Sequence, residues 1–154
     1  MNKVEHAIDE CAEHLKTTDS YGTEIEAYLT RYLIILTSAY FEELLEDAFI
    51  ARAKKTNDNF IISYFENDIP NKLKSVGISK LSEFIKKFGE PYVARFYDQI
   101  TKALSKEVTS YGNIIKSRHL VAHETTAPQM TFREFVCAYH DSQKVINTIA
   151  SILL

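Results

Sequence analysis

The stretch Lys116-Ser117-Arg118-His119-Leu120-Val121-Ala122-His123-Glu124 gathers more potentially catalytic side chains than any other part of the chain. It holds a guanidinium, two imidazoles and a carboxylate, interleaved with apolar residues. Arginine is a fixed, planar cation suited to phosphate oxygens. Histidine has an unperturbed pKa of roughly 6.5 and can give or take a proton near neutrality. Arg118 and His123 together form a minimal set for cutting a phosphodiester without a metal. His119 and His123 stand four residues apart, which is also a metal-ligand spacing. The segment lacks a glutamate in the HExxH position, and no cysteine lies nearby in sequence. No metal and no cofactor are therefore expected. The competing structural reading pairs Arg118 with an acid of the second helix and leaves the histidines to cap or pack.

The arrangement Arg118, then His119-Leu120-Val121-Ala122, then His123 resembles the HEPN superfamily of helical nucleotide-binding domains. Catalytic members carry Arg, four to six residues, then His, often with a polar residue after the Arg. This chain reads Arg118-His119 where many members read Arg-Asn or Arg-Asp. The resemblance implies an all-α bundle with the motif just ahead of the closing helix. It implies two protomers that bring their motifs together in a cleft, hence a homodimer. It also implies RNA as substrate, single-stranded or tRNA, cut through the ribose 2′-OH, with Arg118 and His123 as catalytic residues. His119, Lys116, Glu124 and Tyr111 are the supporting or RNA-binding candidates, Tyr111 as a platform for a stacked base. Family likeness further implies a bacterial toxin–antitoxin or antiviral defence system, with an antitoxin protein as possible partner. The alternative is a HEPN-like module that binds RNA, a nucleotide or a protein without cutting.

The elements that must position this segment are helical throughout. The chain has 154 residues, 45% apolar and 25% charged, which fits one domain over 1–154 with an ordinary core. Four Gly and three Pro leave little room for a turn-rich β fold. No apolar run approaches the roughly 20 residues of a membrane span. The first residues lack a secretory segment, which predicts a cytoplasmic protein. Cys11 and Cys137 are isolated and both fall on expected apolar faces, so two buried free thiols are anticipated.

Val4, Ile8, Cys11 and Leu15 mark one face of a first helix ending near Lys16. Thr23 and Glu26 form a capping box for a second helix running to about Lys55. Its expected stripe is Ile25, Leu29, Tyr32, Leu36, Ala39, Tyr40, Leu44 and Ala48. Leu33, Ile34 and Ile35 widen this stripe to nearly the whole circumference, as in a central staple of a bundle or a subunit interface. Glu42, Glu43, Glu46 and Asp47 are taken as a solvated edge, with Glu43 in a polar pocket as the alternative. Phe60 to Phe65 predicts a short helix, for want of a second strand to pair with. Ser79 should cap a helix that Gly89 ends, and Pro91 suits a first helical turn. Val93, Phe96, Tyr97, Ile100 and Leu104 follow at helical spacing. Gly112 interrupts the pattern, so one helix or two could cover 93–124. Thr131 and Glu134 form a last capping box, ahead of a stripe of Phe132, Phe135, Val136, Tyr139, Ile146, Ile149, Ala150 and Leu153. The expected fold is an antiparallel helical bundle with additional short helices.

Charge is unevenly distributed. Residues 1–50 carry three Lys/Arg against eleven Asp/Glu, and residues 51–124 carry thirteen against eight. A net charge of −3 excludes a broad nucleic-acid coat, so any RNA contact should be a local patch.

Overall fold

A computed structural model describes residues 1–123 and 128–154; the side chain of His123 and the whole of Glu124 lie outside the described residues. The elements are α1 (Lys3–Thr17), α2 (Glu24–Lys54), α3 (Asn59–Lys72), α4 (Ile78–Lys86), α5 (Glu90–Phe96), a π-helical turn (Tyr97–Lys102), α6 (Ser105–His123) and α7 (Phe132–Leu153). No strand occurs among the described residues, and the fold is all-α. No described helix is long and apolar enough to cross a membrane.

α1 begins at a true capping box. The Asn2 side chain accepts from Val4 N and Glu5 N, and the Glu5 carboxylate accepts from Asn2 N. The Asn2 amide also donates to the hydroxyl of Tyr139 at 2.9 Å, which ties the start of α1 to α7. Val4, Ala7, Ile8, Cys11 and Leu15 are buried as their spacing requires. Cys137, by contrast, is exposed, so only one of the two thiols is packed away. It lies beside the buried stripe of α7 rather than on it.

α2 spans about 46 Å at 1.5 Å per residue and is the staple of the bundle. Thr23 caps it by accepting from Ile25 N at 3.2 Å. The expected box is not reciprocal. Glu26 accepts from Gly22 N at 2.6 Å and from Phe132 N at 2.9 Å, joining the starts of α2 and α7. The buried face of α2 also differs from the expected stripe. Thr30, Leu33, Ile34, Thr37, Ser38, Phe41, Leu45, Ala48 and Phe49 face inward. Of the eight residues of the expected stripe, Ile25, Tyr32 and Ala39 are exposed and only Ala48 is fully buried; of the three that widen it, Leu33 and Ile34 are buried and Ile35 is exposed. A helix apolar on nearly all sides carries no phase in its periodicity, and three hydroxyl side chains occupy the core side.

Glu43 is exposed and pairs with Lys3 at 2.5 Å, so it lines no pocket. Glu42 is half-buried and accepts from Ser75 N at 2.7 Å, which anchors the segment ahead of α4. Residues 60–65 are helical, within the longer α3, which Asp58 caps by accepting from Phe60 N and Ile61 N. α4 starts two residues before the anticipated Ser79, with Gly77 at the N-cap and no side-chain cap. Gly89, at φ +101°, makes the left-handed corner into α5, where Pro91 sits in the first turn.

Phe96 and Ile100 are buried as expected, but Tyr97 is exposed. The π-turn runs over Tyr97–Lys102, and Tyr97 at its start stands about 100° around from Phe96, off the buried side. That turn is where the chain breaks; α6 runs uninterrupted through Gly112. In the core, Phe41 stacks parallel to Tyr139 at 6.0 Å between ring centroids and lies 6.2 Å from Tyr111. α2, α6 and α7 therefore meet at one aromatic layer. α6 runs antiparallel to α7, as the Ser110–Asp141 and Glu107–Lys144 pairs require. α2 and α7 run parallel, held by Glu26 to Phe132 at their starts and by Lys55 to the Leu154 carbonyl at their ends.

Candidate active site at the end of α6

α6 carries Lys116 to His123 in its last two turns. Tyr111, Ile114 and Ile115 form its buried stripe, and Arg118 follows them at the next helical position. Arg118 is accordingly half-buried, its stem leaving the helix on the bundle side. It makes no hydrogen bond or ion pair to any described residue, and in particular none to an acid of α2. Ser117 is buried, whereas Lys116 and His119 are exposed.

Arg118 and His123 lie in one helix, five positions apart, so their Cα atoms point about 140° from each other around the axis. One chain does not set both on one face. His119 and His123 are about 40° apart and do share a face. Among the described residues no group of three or more His, Cys, Asp or Glu gathers as a metal cluster would.

Tyr111 is not available for a base. It is 1% exposed, and its hydroxyl donates to the Val76 carbonyl at 2.6 Å. Burial, with a smaller contribution from the Glu42 carboxylate, raises its pKa well above the ordinary tyrosine value. The ring serves the core and fixes α6 to the segment ahead of α4.

Beside the motif, α6 and α7 enclose a groove of ≈ 530 Å³. Lys106, Ser110, Asn113, Lys116 and Ser117 line it from α6, and Arg133, Cys137 and Asp141 line it from α7. Only Lys116 and Ser117 are shared with the motif. Arg133 was not anticipated; its placement follows from the Thr131 box, which starts α7 and puts Arg133 off the Phe132–Phe135 stripe. At the far end of this groove Asp141 accepts from Ser110 at 3.1 Å and pairs with Lys106 and Lys144 at 3.5 and 3.4 Å. Burial alone would raise the Asp141 pKa. The Ser110 hydrogen bond and the two lysines outweigh it and hold the carboxyl below its ordinary range.

An all-α domain whose Arg…His segment ends the helix before the closing one is of the HEPN type. The family model described as RiboL-PSP-HEPN matches residues 2–154. The chain belongs to that family, and with it to a nuclease and RNA-binding superfamily whose domains often dimerise. No curated protein and no solved structure matches it.

Proposed function

We propose that the protein is a metal-independent endoribonuclease that works as a homodimer. Arg118 would grip the scissile phosphate and stabilise the charge that develops on it. His123 would take the proton of the ribose 2′-OH. The new bond joins 2′-O to phosphorus, the bond from phosphorus to the 5′-oxygen breaks, and that oxygen is protonated as it leaves. The products are a 2′,3′-cyclic phosphate and a 5′-OH, and DNA is refused because it lacks the attacking hydroxyl. His119 would orient the phosphate or share in proton transfer, with Lys116 and Glu124 in support. The setting is a cytoplasmic toxin–antitoxin or antiviral defence system, with an antitoxin protein holding the enzyme in check.

The observation that carries this reading is the half-buried Arg118, which has no counter-ion among the described residues, within a HEPN family chain. The opposed faces of Arg118 and His123 favour a site completed by a second protomer.

The test is cleavage in EDTA of mixed single-stranded RNA and tRNA, with end-group analysis. Arg118→Ala and His123→Ala should each lower the rate by roughly 10²–10⁴-fold. Mixing the two inactive variants should restore about a quarter of the activity, because half of randomly mixed dimers are hybrids with one intact composite site of two. RNA binding without cleavage by the wild type would instead establish the non-catalytic module.

A further inference from the structure

The structure assigns Cys137 as a modification site, whose thiol forms a mixed disulfide with a low-molecular-weight thiol carrying two carboxylates, seated in the α6/α7 groove. The site stands on the groove itself; its consequence for RNA rests on the ribonuclease reading above.

The two cysteines have opposite surroundings. Cys11 is buried in α1, and burial, with the Glu10 carboxylate, pushes its thiol above the ordinary value. Cys137 is exposed and lines the groove of ≈ 530 Å³. Pockets of roughly 300–1,000 Å³ are the size that takes a small-molecule ligand.

Three observations give this groove its ligand. First, two polar helix faces converge on the thiol. Arg133, Cys137 and Asp141 recur every four residues on α7, and Ser110, Asn113 and Ser117 follow at three and four on α6. The Ser110–Asp141 and Glu107–Lys144 pairs set a register in which Cys137 stands level with Ile114, between Asn113 and Ser117. Second, the acids of the groove are committed and two of its cations are not. Glu134 accepts from Thr131 N at 2.8 Å in its capping box, and Asp141 holds Ser110, Lys106 and Lys144. Lys116 and Arg133 have no ion-pair partner among the described residues. Arg133 is about 6 Å along α7 from Cys137. An exposed thiol with cations beside it is the setting in which reactive cysteines occur, and two unmatched cations suit two carboxylates. Third, Ser117 lines the groove although it is only 4% exposed, and its hydroxyl makes no hydrogen bond to any described residue. Buried hydroxyls are ordinarily paired, so this one is left for a polar group that enters the groove.

The step is thiol–disulfide exchange. The Cys137 thiolate attacks one sulfur of the ligand's disulfide. The bond from Sγ to that sulfur forms, and the ligand's own S–S bond breaks. The second half leaves as a thiolate and takes up the proton that Cys137 released. Cys137 is oxidised, that half of the disulfide is reduced, and an added thiol reverses the exchange. The seated adduct sets its carboxylates against Lys116 and Arg133, the cations that RNA would otherwise meet in this groove.

The experiment treats the full chain with glutathione disulfide and, separately, with neutral 2-hydroxyethyl disulfide, and follows each adduct by intact-mass and peptide mass spectrometry. Circular dichroism checks that every variant is folded. Cys137 should be modified and Cys11 spared. The rate with glutathione disulfide relative to the neutral reagent should fall roughly tenfold in Lys116→Ala/Arg133→Ala. The glutathione adduct should bind single-stranded RNA roughly tenfold more weakly, with affinity restored by dithiothreitol, and Cys137→Ser should not respond to the disulfide. Preferential modification of Cys11, or a rate ratio that the double variant leaves unchanged, would overturn the site. An adduct that binds RNA as tightly as the reduced chain would overturn its regulatory consequence. A wild type that neither binds nor cuts RNA, with the rate ratio as expected, would remove the ribonuclease reading and leave the site standing.

Discussion

The two ends of the α6/α7 pair are built from similar residues to opposite effect. At one end the charges are matched: Asp141 binds Ser110, Lys106 and Lys144, and Lys144 also reaches Glu107 at 3.5 Å. At the other end Lys116, Arg118 and Arg133 make no ion pair to any described residue. The matched end fixes the register of two antiparallel helices, so it can be satisfied within the chain. Cations left unmatched a few turns away cost little while they touch water, and they present a local positive field on an otherwise acidic protein. A polyanion is the counter-ion such an end can take.

The largest effect on this contrast should come from the matched end. Asp141→Ala removes the shared acceptor of three groups and should cost about 2 kcal/mol of stability, read from the urea midpoint. Asp141 also carries a pH signature. Its folded-state pKa is lowered from 3.8, so its contribution is complete above that value and is lost as pH falls through the lowered one. Asp141→Asn should flatten the acid side of the stability profile. RNA binding by either folded variant should not weaken, since the change removes a carboxylate from the groove. A loss of RNA affinity without a loss of stability would erase the distinction between the two ends.

A smaller change tests where the matched region stops. Tyr111→Phe keeps the ring between Phe41 and Val76 but leaves the Val76 carbonyl without its donor. It should cost about 1 kcal/mol in denaturant titration and nothing in RNA affinity. Weaker RNA binding at unchanged stability would return Tyr111 to the site.

Much of this was legible in the residue order, and the misses have physical causes. The capping box at Thr131 and the stripe of α1 were clear because polar and apolar residues alternate sharply there. The HEPN family was legible from the Arg118…His123 spacing together with its place ahead of the closing helix, though one unbroken helix through Gly112 was not, because Gly112 resembles a stop and the real break is a π-turn with no sequence mark. α2 misled most. With apolar residues on every side, its period could not say that Thr37 and Ser38 are inside and Tyr32 outside; only packing decides that. Tyr111 was ambiguous for a similar reason, since an aromatic two turns before a motif reads alike whether it faces a base or the core.

The mildest perturbation bears on the unmatched end. Lys116 and Arg133 face the same groove from α6 and α7 and hold no ion-pair partner among the described residues, so neither Lys116→Ala nor Arg133→Ala should change the urea midpoint measurably. If both meet phosphates, each should weaken RNA binding a few-fold and lower the slope of log affinity against log salt by about 0.7 for a single strand. The double variant should lower it by about twice that, because the two sites neutralise separate phosphates. An unchanged slope in the double variant would mean that the RNA does not run along the α6/α7 groove. Contact would then be confined to Arg118 and His119, outside the groove.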